Sequence, residues 1–442
     1  MQDFKPIKFL RQGLKNRIVS ELYFLILLFP VWWILGMEQF IWVISVGLIF
    51  IQFLIFSKFQ FKINIVALLL LFFLVVYGVS FVSITEKMRY ITYFRNLSTY
   101  LTAFMLVVVV WNIVDEWWQV EKLLGAIIFV MLIASIVGIL AFIFDSFRIR
   151  FKSLVGFFMP SSISSTGYGS VIAVRNVGFY NWFIGLGEYF RVSSFFLYST
   201  MFSSTLAIVL PIAMFLKKIN IGIKKSYFSI VVVIMGLSLL ATTGRVAILA
   251  IFVAYFIFKF LSIKSFSIRF SIITFSFFFI LLFLLWLEQT GLLYQIIDFA
   301  LYSRGEGSAN ARSKIYIQTF ESFLERPIFG WGTERDIKGL AYPLGSHSYY
   351  LGTLYKQGVV GLIFFLSIIT NVWINIKVKS KLNYKVSLFF RYGQFMLLVF
   401  MINSFTDVLD LDATTMMFLW VIIALLTVSK RLSINPQNQL ND

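Results

Sequence analysis

His347 is the only histidine among 442 residues. Its imidazole, with an ordinary pKa of about 6.5, takes or gives a proton at working pH more readily than any other uncharged side chain in the chain. It opens the segment His347-Ser348, nine residues, Gly358-Val-Val-Gly361, where a polar stretch runs back into an apolar one. A base placed there is within reach of both water and lipid. Two arginines offer the complementary chemistry. Arg245 stands in the tight turn Ala241-Thr242-Thr243-Gly244-Arg245 between two apolar runs. A guanidinium held by so short a turn can grip phosphate oxygens through two parallel N–H bonds. The plain alternative is an arginine snorkelling from a helix end. Arg312 lies on a helix-like run over 310–324, with Lys314 two residues on and Arg304 upstream. As a solvated charge run these three are ordinary. They gain meaning as phosphate ligands if they share one side of a membrane with Arg245 and His347.

A membrane is what the composition demands. Hydrophobic residues make up 60% of the chain and charged ones 13%, with a mean hydropathy of +0.89. A soluble domain carries far more charge, so the chain reads as a polytopic membrane protein. The net charge of +18 does not indicate nucleic acid, because the basic residues cluster between apolar spans as orientation signals do. With no cysteine and a single histidine, cysteine-ligated and multi-histidine metal sites are excluded. The acidic group Asp407, Asp410 and Asp412 reads better as an exposed loop than as a metal pair, so neither metal nor cofactor is expected. The basic N-terminal stretch through Arg17 reads as a retained cytoplasmic tail.

Apolar runs long enough to cross a bilayer fall near 18–36, 39–56, 63–84, 97–114, 123–144, 196–216, 227–243, 245–261, 268–287, 352–376, 387–405 and 412–429, which is about twelve spans. The expected fold is therefore an all-α polytopic membrane protein. Its N-terminal helices lie within 1–144, its central ones within 196–287 and its C-terminal ones within 351–430, followed by a tail over 431–442. The Lys/Arg distribution places both termini in the cytoplasm. Lys87, Arg89 and Arg95 then lie outside, against the rule. Two long loops, 145–195 and 288–350, also fall outside and also carry cations, among them Arg191, Arg326 and Arg335. Cations gathered on the outer face against the bias suggest an anionic ligand there. No internal repeat is evident.

Helix length constrains the histidine segment further. A single helix over 346–376 would measure about 46 Å, against a hydrocarbon core of about 30 Å. Residues 346–357 are thus expected at or above the outer interface as a short helix, with Gly358 and Gly361 marking a bend before the span proper.

Taken together these pieces resemble one family. His347-Ser348 with Gly358 and Gly361 resembles the signature of the O-antigen ligase and polymerase superfamily. Arg191-Val-Ser-Ser-Phe-Phe, Thr-Thr-Gly-Arg245, and Asn310-Ala-Arg312 leading to Arg326-Pro-Ile-Phe-Gly-Trp-Gly-Thr333 resemble its other landmarks in the same order. The resemblance covers residues 185–430. It implies a glycosyltransferase of the GT-C type in the bacterial cytoplasmic membrane, acting on the outer face. The implied donor is a glycan on undecaprenyl pyrophosphate. Arg245, Arg312 and Arg191 are implied as pyrophosphate ligands and His347 as the base, or the group that orients the acceptor hydroxyl. Arg304, Lys314, Arg335, Tyr349 and Tyr350 are further candidates for glycan or phosphate contacts. The implied partners are membrane lipids, a glycan acceptor and a chain-length regulator. The motif Leu344-Gly-Ser-His347-Ser-Tyr-Tyr-Leu351 is closer to polymerases, which extend another lipid-linked repeat unit, than to ligases, which use lipid A-core. A lipid-glycan transporter is the alternative from another class. It is disfavoured because the spans are nearly free of charge.

Overall fold

The computed structural model describes residues 12–183, 187–263, 306–340, 342–377 and 383–432, together with Ser265 and Gln289. The apolar run at 268–287 and Arg304 lie outside the described residues. Every other apolar run coincides with helix. In chain order these are α1 (Gln12–Leu27), α2 (Phe29–Leu35), α3 (Ile41–Phe56), α4 (Ile65–Ser80), α5 (Lys87–Ile113) and α6 (Trp117–Ile143). Three short helices follow, α7 (Leu154–Phe158), α8 (Ser161–Ser164) and α9 (Gly167–Ala173). Then come α10 (Ser199–Ile219), α11 (Gly222–Ala241), α12 (Arg245–Ser262), α13 (Glu306–Glu325), α14 (Tyr349–Asn375), α15 (Tyr384–Asn403) and α16 (Ala413–Leu432). Among the described residues, 8 helices are long and apolar enough to cross a membrane, and α1 with α2 makes a ninth if that pair, bent by 53°, is one span. The chain is a multi-pass membrane protein.

α16 forms the axis of the bundle. It is apolar on every side, and a helix without a polar face must be covered all round. In its membrane-length window 94% of the residues are buried, against α3, α5, α6, α10, α14 and α15.

To these helices the first long loop adds two antiparallel strand pairs that its Ser/Gly-rich composition does not announce. β1 (Arg150–Lys152) pairs with β2 (Val174–Asn176), and β3 (Gly178–Phe183) with β4 (Gly187–Val192), placing Arg191 opposite Phe179. The loop is anchored by Arg175. This buried guanidinium donates to both carboxylate oxygens of Glu38, at 2.9 and 2.6 Å. Such a fork fixes orientation as well as distance.

Two expectations are corrected. The Asp407–Asp412 region is not an exposed acidic loop, since all three aspartates are buried. Asp407 accepts from Ser204 at 3.1 Å, Asp410 from Lys356 at 2.8 Å, and Asp412 from Gln39 at 2.6 Å. α5 begins ten residues before the apolar run at 97, and Arg89, Tyr93 and Asn96 of its first turns are buried. Its misfit cation Arg89 is buried and donates to the carbonyls of Trp331, Thr333 and Glu334. That arginine therefore serves the fold and carries no orientation signal.

Candidate active site

The site rests on a helix that must break. An unbroken α-helix would pair the carbonyls of Tyr355 and Lys356 with the N–H groups of Val359 and Val360. Within α14 the backbone at Gly358 instead takes φ 68° and ψ −169°, a region open essentially only to glycine. All four groups freed by this break are recovered by residues 326–333. Trp331 N–H donates to the Tyr355 carbonyl at 2.9 Å, and Gly332 N–H to that of Lys356 at 2.8 Å. Val359 N–H donates to the Pro327 carbonyl at 2.8 Å, and Val360 N–H to that of Ile328 at 3.4 Å. Backbones this close leave no space for side chains. A Cβ on Gly358 would sit 2.1 Å from the Ile328 oxygen, and one on Gly330 2.5 Å from the Tyr355 oxygen.

The run Arg326-Pro-Ile-Phe-Gly-Trp-Gly-Thr333 is thus a backbone clasp around the bend. Trp331 pins it to α13 by donating from Nε1 to the Ser322 carbonyl at 2.7 Å, and Arg326 and Arg335 lie 4.2 and 4.3 Å from its ring centroid. Arg89 braces it from α5. Replacing Arg89 by Met would strand three carbonyls and is expected to lower stability by about 2 kcal/mol or more, read as a fall in the melting temperature of the purified protein.

The clasp holds a short helical piece ahead of Gly358, as helix length suggests. Ser348 starts it, its side chain accepting from Leu351 N–H at 3.3 Å. His347 immediately precedes this cap with φ 63°. Its carbonyl accepts from the Tyr316 hydroxyl of α13 at 2.8 Å, and its ring meets Tyr342 edge-on at 4.5 Å. Nε2 is buried and has no hydrogen-bond partner among the described residues. Burial first, and the nearby Arg312 guanidinium second, push the imidazole down to about 4. At neutral pH the ring is therefore uncharged and able to accept a proton.

Arg191 and Arg245 form a second pair. Arg191, on β4, donates from Nε to Thr243 Oγ1 at 2.9 Å and to the Thr242 carbonyl at 3.3 Å. Its guanidinium thereby docks on the turn that launches Arg245 as the first residue of α12. Gly244 lets this turn press against α10, since a Cβ there would meet Ser203 Oγ at 2.4 Å. The next residue, Ser204, donates to Asp407, whose charge also acts on Tyr316, the partner of His347. The pairs Arg191–Arg245 and Arg312–His347 are thus linked at one end of the bundle through α10, Asp407 and Tyr316. Among the described residues five non-glycines have positive φ, and three of them, Ser194, Thr243 and His347, fall in these landmark turns. Such strain persists only where the surroundings over-determine it.

The remaining candidates separate. Lys314 is exposed on α13. Arg335 lies against Trp331, on the clasp. Tyr349 is 1% exposed and its hydroxyl is engaged by that of Tyr100 at 2.7 Å, so it belongs to the core beneath the site. Tyr350 donates to the Met401 carbonyl at 3.0 Å. Residues not proposed for the site from the sequence lie around it: Arg89, Tyr100, Glu334, Lys356 and Asp410. The cation Lys356 within an apolar helix and the acidic Asp407–Asp412 group are the signals that point to them, since a charge in a span implies a buried partner.

No curated protein matches the chain. A family model described as O-antigen ligase matches residues 230–366, which include Arg245, Arg312, the clasp, His347 and Gly358. The matched region spans less than a third of the chain and takes in three of the four landmark motifs, so this part of the chain is similar to the O-antigen ligase family.

Proposed function

We propose that this protein is a GT-C-type glycosyltransferase that polymerises undecaprenyl-pyrophosphate-linked repeat units into O-antigen or capsular polysaccharide at the outer face of the bacterial cytoplasmic membrane. One observation carries the reading. The single histidine is held uncharged, with a buried Nε2 that has no partner among the described residues, beside an arginine. In this reading an acceptor hydroxyl attacks the anomeric carbon of the donor sugar. The bond from that carbon to the pyrophosphate oxygen breaks, and undecaprenyl pyrophosphate leaves with the electron pair. The hydroxyl proton passes to His347 Nε2 during the attack, because a sugar hydroxyl is too weak an acid to ionise beforehand. Arg245, Arg312 and Arg191 supply the positive charge that the departing pyrophosphate requires.

The alternative is a ligase that transfers the glycan to lipid A-core; the matched family, described as O-antigen ligase, is compatible with either enzyme. Expression in polymerase-null and ligase-null strains separates the two. The proposal expects long lipid-linked glycan without transfer to lipid A-core. Rescue of the ligase-null strain alone would assign the ligase. Arg245→Lys tests the leaving-group site. An ammonium cannot reproduce the planar fork, and transfer is expected to fall by about 10²-fold in a radiolabelled-glycan assay.

A further inference from the structure

Beneath His347 a small set of buried polar side chains closes a circuit. The Lys356 ammonium, 1% exposed, donates to Asp410 Oδ2 at 2.8 Å and to Glu334 Oε1 at 3.2 Å. The same Asp410 oxygen accepts from the Tyr100 hydroxyl at 2.9 Å, and that hydroxyl shares a hydrogen bond with Tyr349 at 2.7 Å. Tyr349 and Lys356 are residues i and i+7 of the short helical piece between Ser348 and Gly358. Two turns apart, they share one face at a separation of about 10.5 Å. A single carboxylate therefore reaches both ends of that piece, one directly and one through a phenol. Tyr349 N–H adds a further tie, donating to the Ser404 carbonyl at 2.8 Å. His347 lies two residues before Tyr349.

A buried ion pair stabilises little compared with a well-packed apolar pair, and where one is retained its attested use is to fix geometry. The geometry fixed here is that of the segment that presents the imidazole. Glu334, next to the clasp, brings the loop into the same arrangement. Burial works against its charge, but Lys356 and Arg95 hold its carboxyl well below the usual range. Asn96 also donates to Glu334, at 3.3 Å, tying in α5 a second time.

We propose that the circuit Lys356–Asp410–Tyr100–Tyr349 positions His347 for proton transfer, so that these four act on the reaction through the histidine without touching substrate. This rests on His347 being the base. A loosened piece would let the imidazole drift from the acceptor hydroxyl and meet water. Among the described residues, the charged and titratable groups around the ring are Arg312 and Tyr316 on α13 and Tyr342 before it, with Asp407 acting across Tyr316. None belongs to the circuit, so a change in the behaviour of the ring reports its displacement.

The test uses the full chain in proteoliposomes with an undecaprenyl-pyrophosphate-linked glycan as donor, comparing Tyr100→Phe and Asp410→Asn with the parent. For both, kcat is expected to fall about tenfold, as small misplacements do, while the KM for the donor stays within about twofold. The acid limb of the kcat profile should move upward from about 4 toward the ordinary histidine value of about 6.5. Tyr100→Phe removes one hydroxyl and leaves every charge in place, which keeps the test available if Asp410→Asn does not insert. An unchanged kcat, or a reduced kcat with an unmoved acid limb, overturns the proposal. His347→Ala run alongside separates the premises. If it is inactive while the other variants match the parent, only the circuit fails; if it transfers normally, the reading of His347 as base fails.

Discussion

Replacing His347 by Ala is expected to lower glycan transfer by about 10²–10⁴-fold, the range that a positioned general base contributes. The protein should still insert and fold, because the ring makes an edge contact to Tyr342 and the hydrogen bond at this residue runs through its backbone carbonyl. The same imidazole sets a pH dependence. A base must be neutral to act, and burial together with Arg312 pushes this one down to about 4. Activity should therefore hold steady as pH falls through the ordinary histidine range and drop only near 4, about tenfold for each further unit. Arg312→Gln removes one of the two causes of the depression, so its acid limb should rise above that of the parent. Rate measurements on detergent-purified protein between about pH 3.5 and 8, spanning the depressed and the ordinary histidine values, decide this. An acid limb near 6.5 in the parent would mean that the ring is hydrated and is not held as described.

Gly358→Ala is expected to be the most damaging change outside the histidine. Its backbone conformation strains any L side chain by about 1–3 kcal/mol. The added Cβ would also lie 2.1 Å from the Ile328 carbonyl oxygen and 2.7 Å from Phe329 N, both backbone atoms of the clasp. No rotamer relieves an overlap with backbone. The clasp must shift, and the four hydrogen bonds that replace the broken helical pair shift with it. Transfer should fall to near background, and the melting temperature should drop by several degrees. Gly361→Ala should be less damaging, because its φ is not in the positive region, but its Cβ would lie 2.2 Å from the Cβ of Gln357 across the break, and the backbone must shift there too.

The bend is legible in the amino-acid sequence because it follows from length. A helix from 346 to 376 is too long for a bilayer, and two glycines mark where it can turn. The apolar runs are legible for the same reason. The partners of the buried charges are not. Lys356 is visibly awkward in an apolar helix, yet nothing local points to Asp410 or Glu334, which reach it only after tertiary packing. The aspartates near 407–412 mislead because short acidic runs between spans are ordinarily solvated, and here α5, α10, α14 and Gln39, just before α3, close over them. Arg89 and Arg95 look like errors of orientation because the positive-inside rule treats every loop cation alike. Arg89 is instead consumed by three carbonyls, and Arg95 stacks on Tyr168 at 4.5 Å. The strand pairs of the first loop lack the alternating apolar pattern that marks strands, and nothing local to Arg175 on β2 points to Glu38, 137 residues away.

Lipid-pyrophosphate glycosyl transfer with His347 as base is tested most directly by reconstitution. Purified protein in proteoliposomes would receive undecaprenyl-pyrophosphate-linked repeat units, with glycan length and released undecaprenyl pyrophosphate followed together. One undecaprenyl pyrophosphate is expected to be released for each unit added, with both products lost in His347→Ala. Equal yields from parent and variant, or glycan lengthening without release of the lipid carrier, would contradict it.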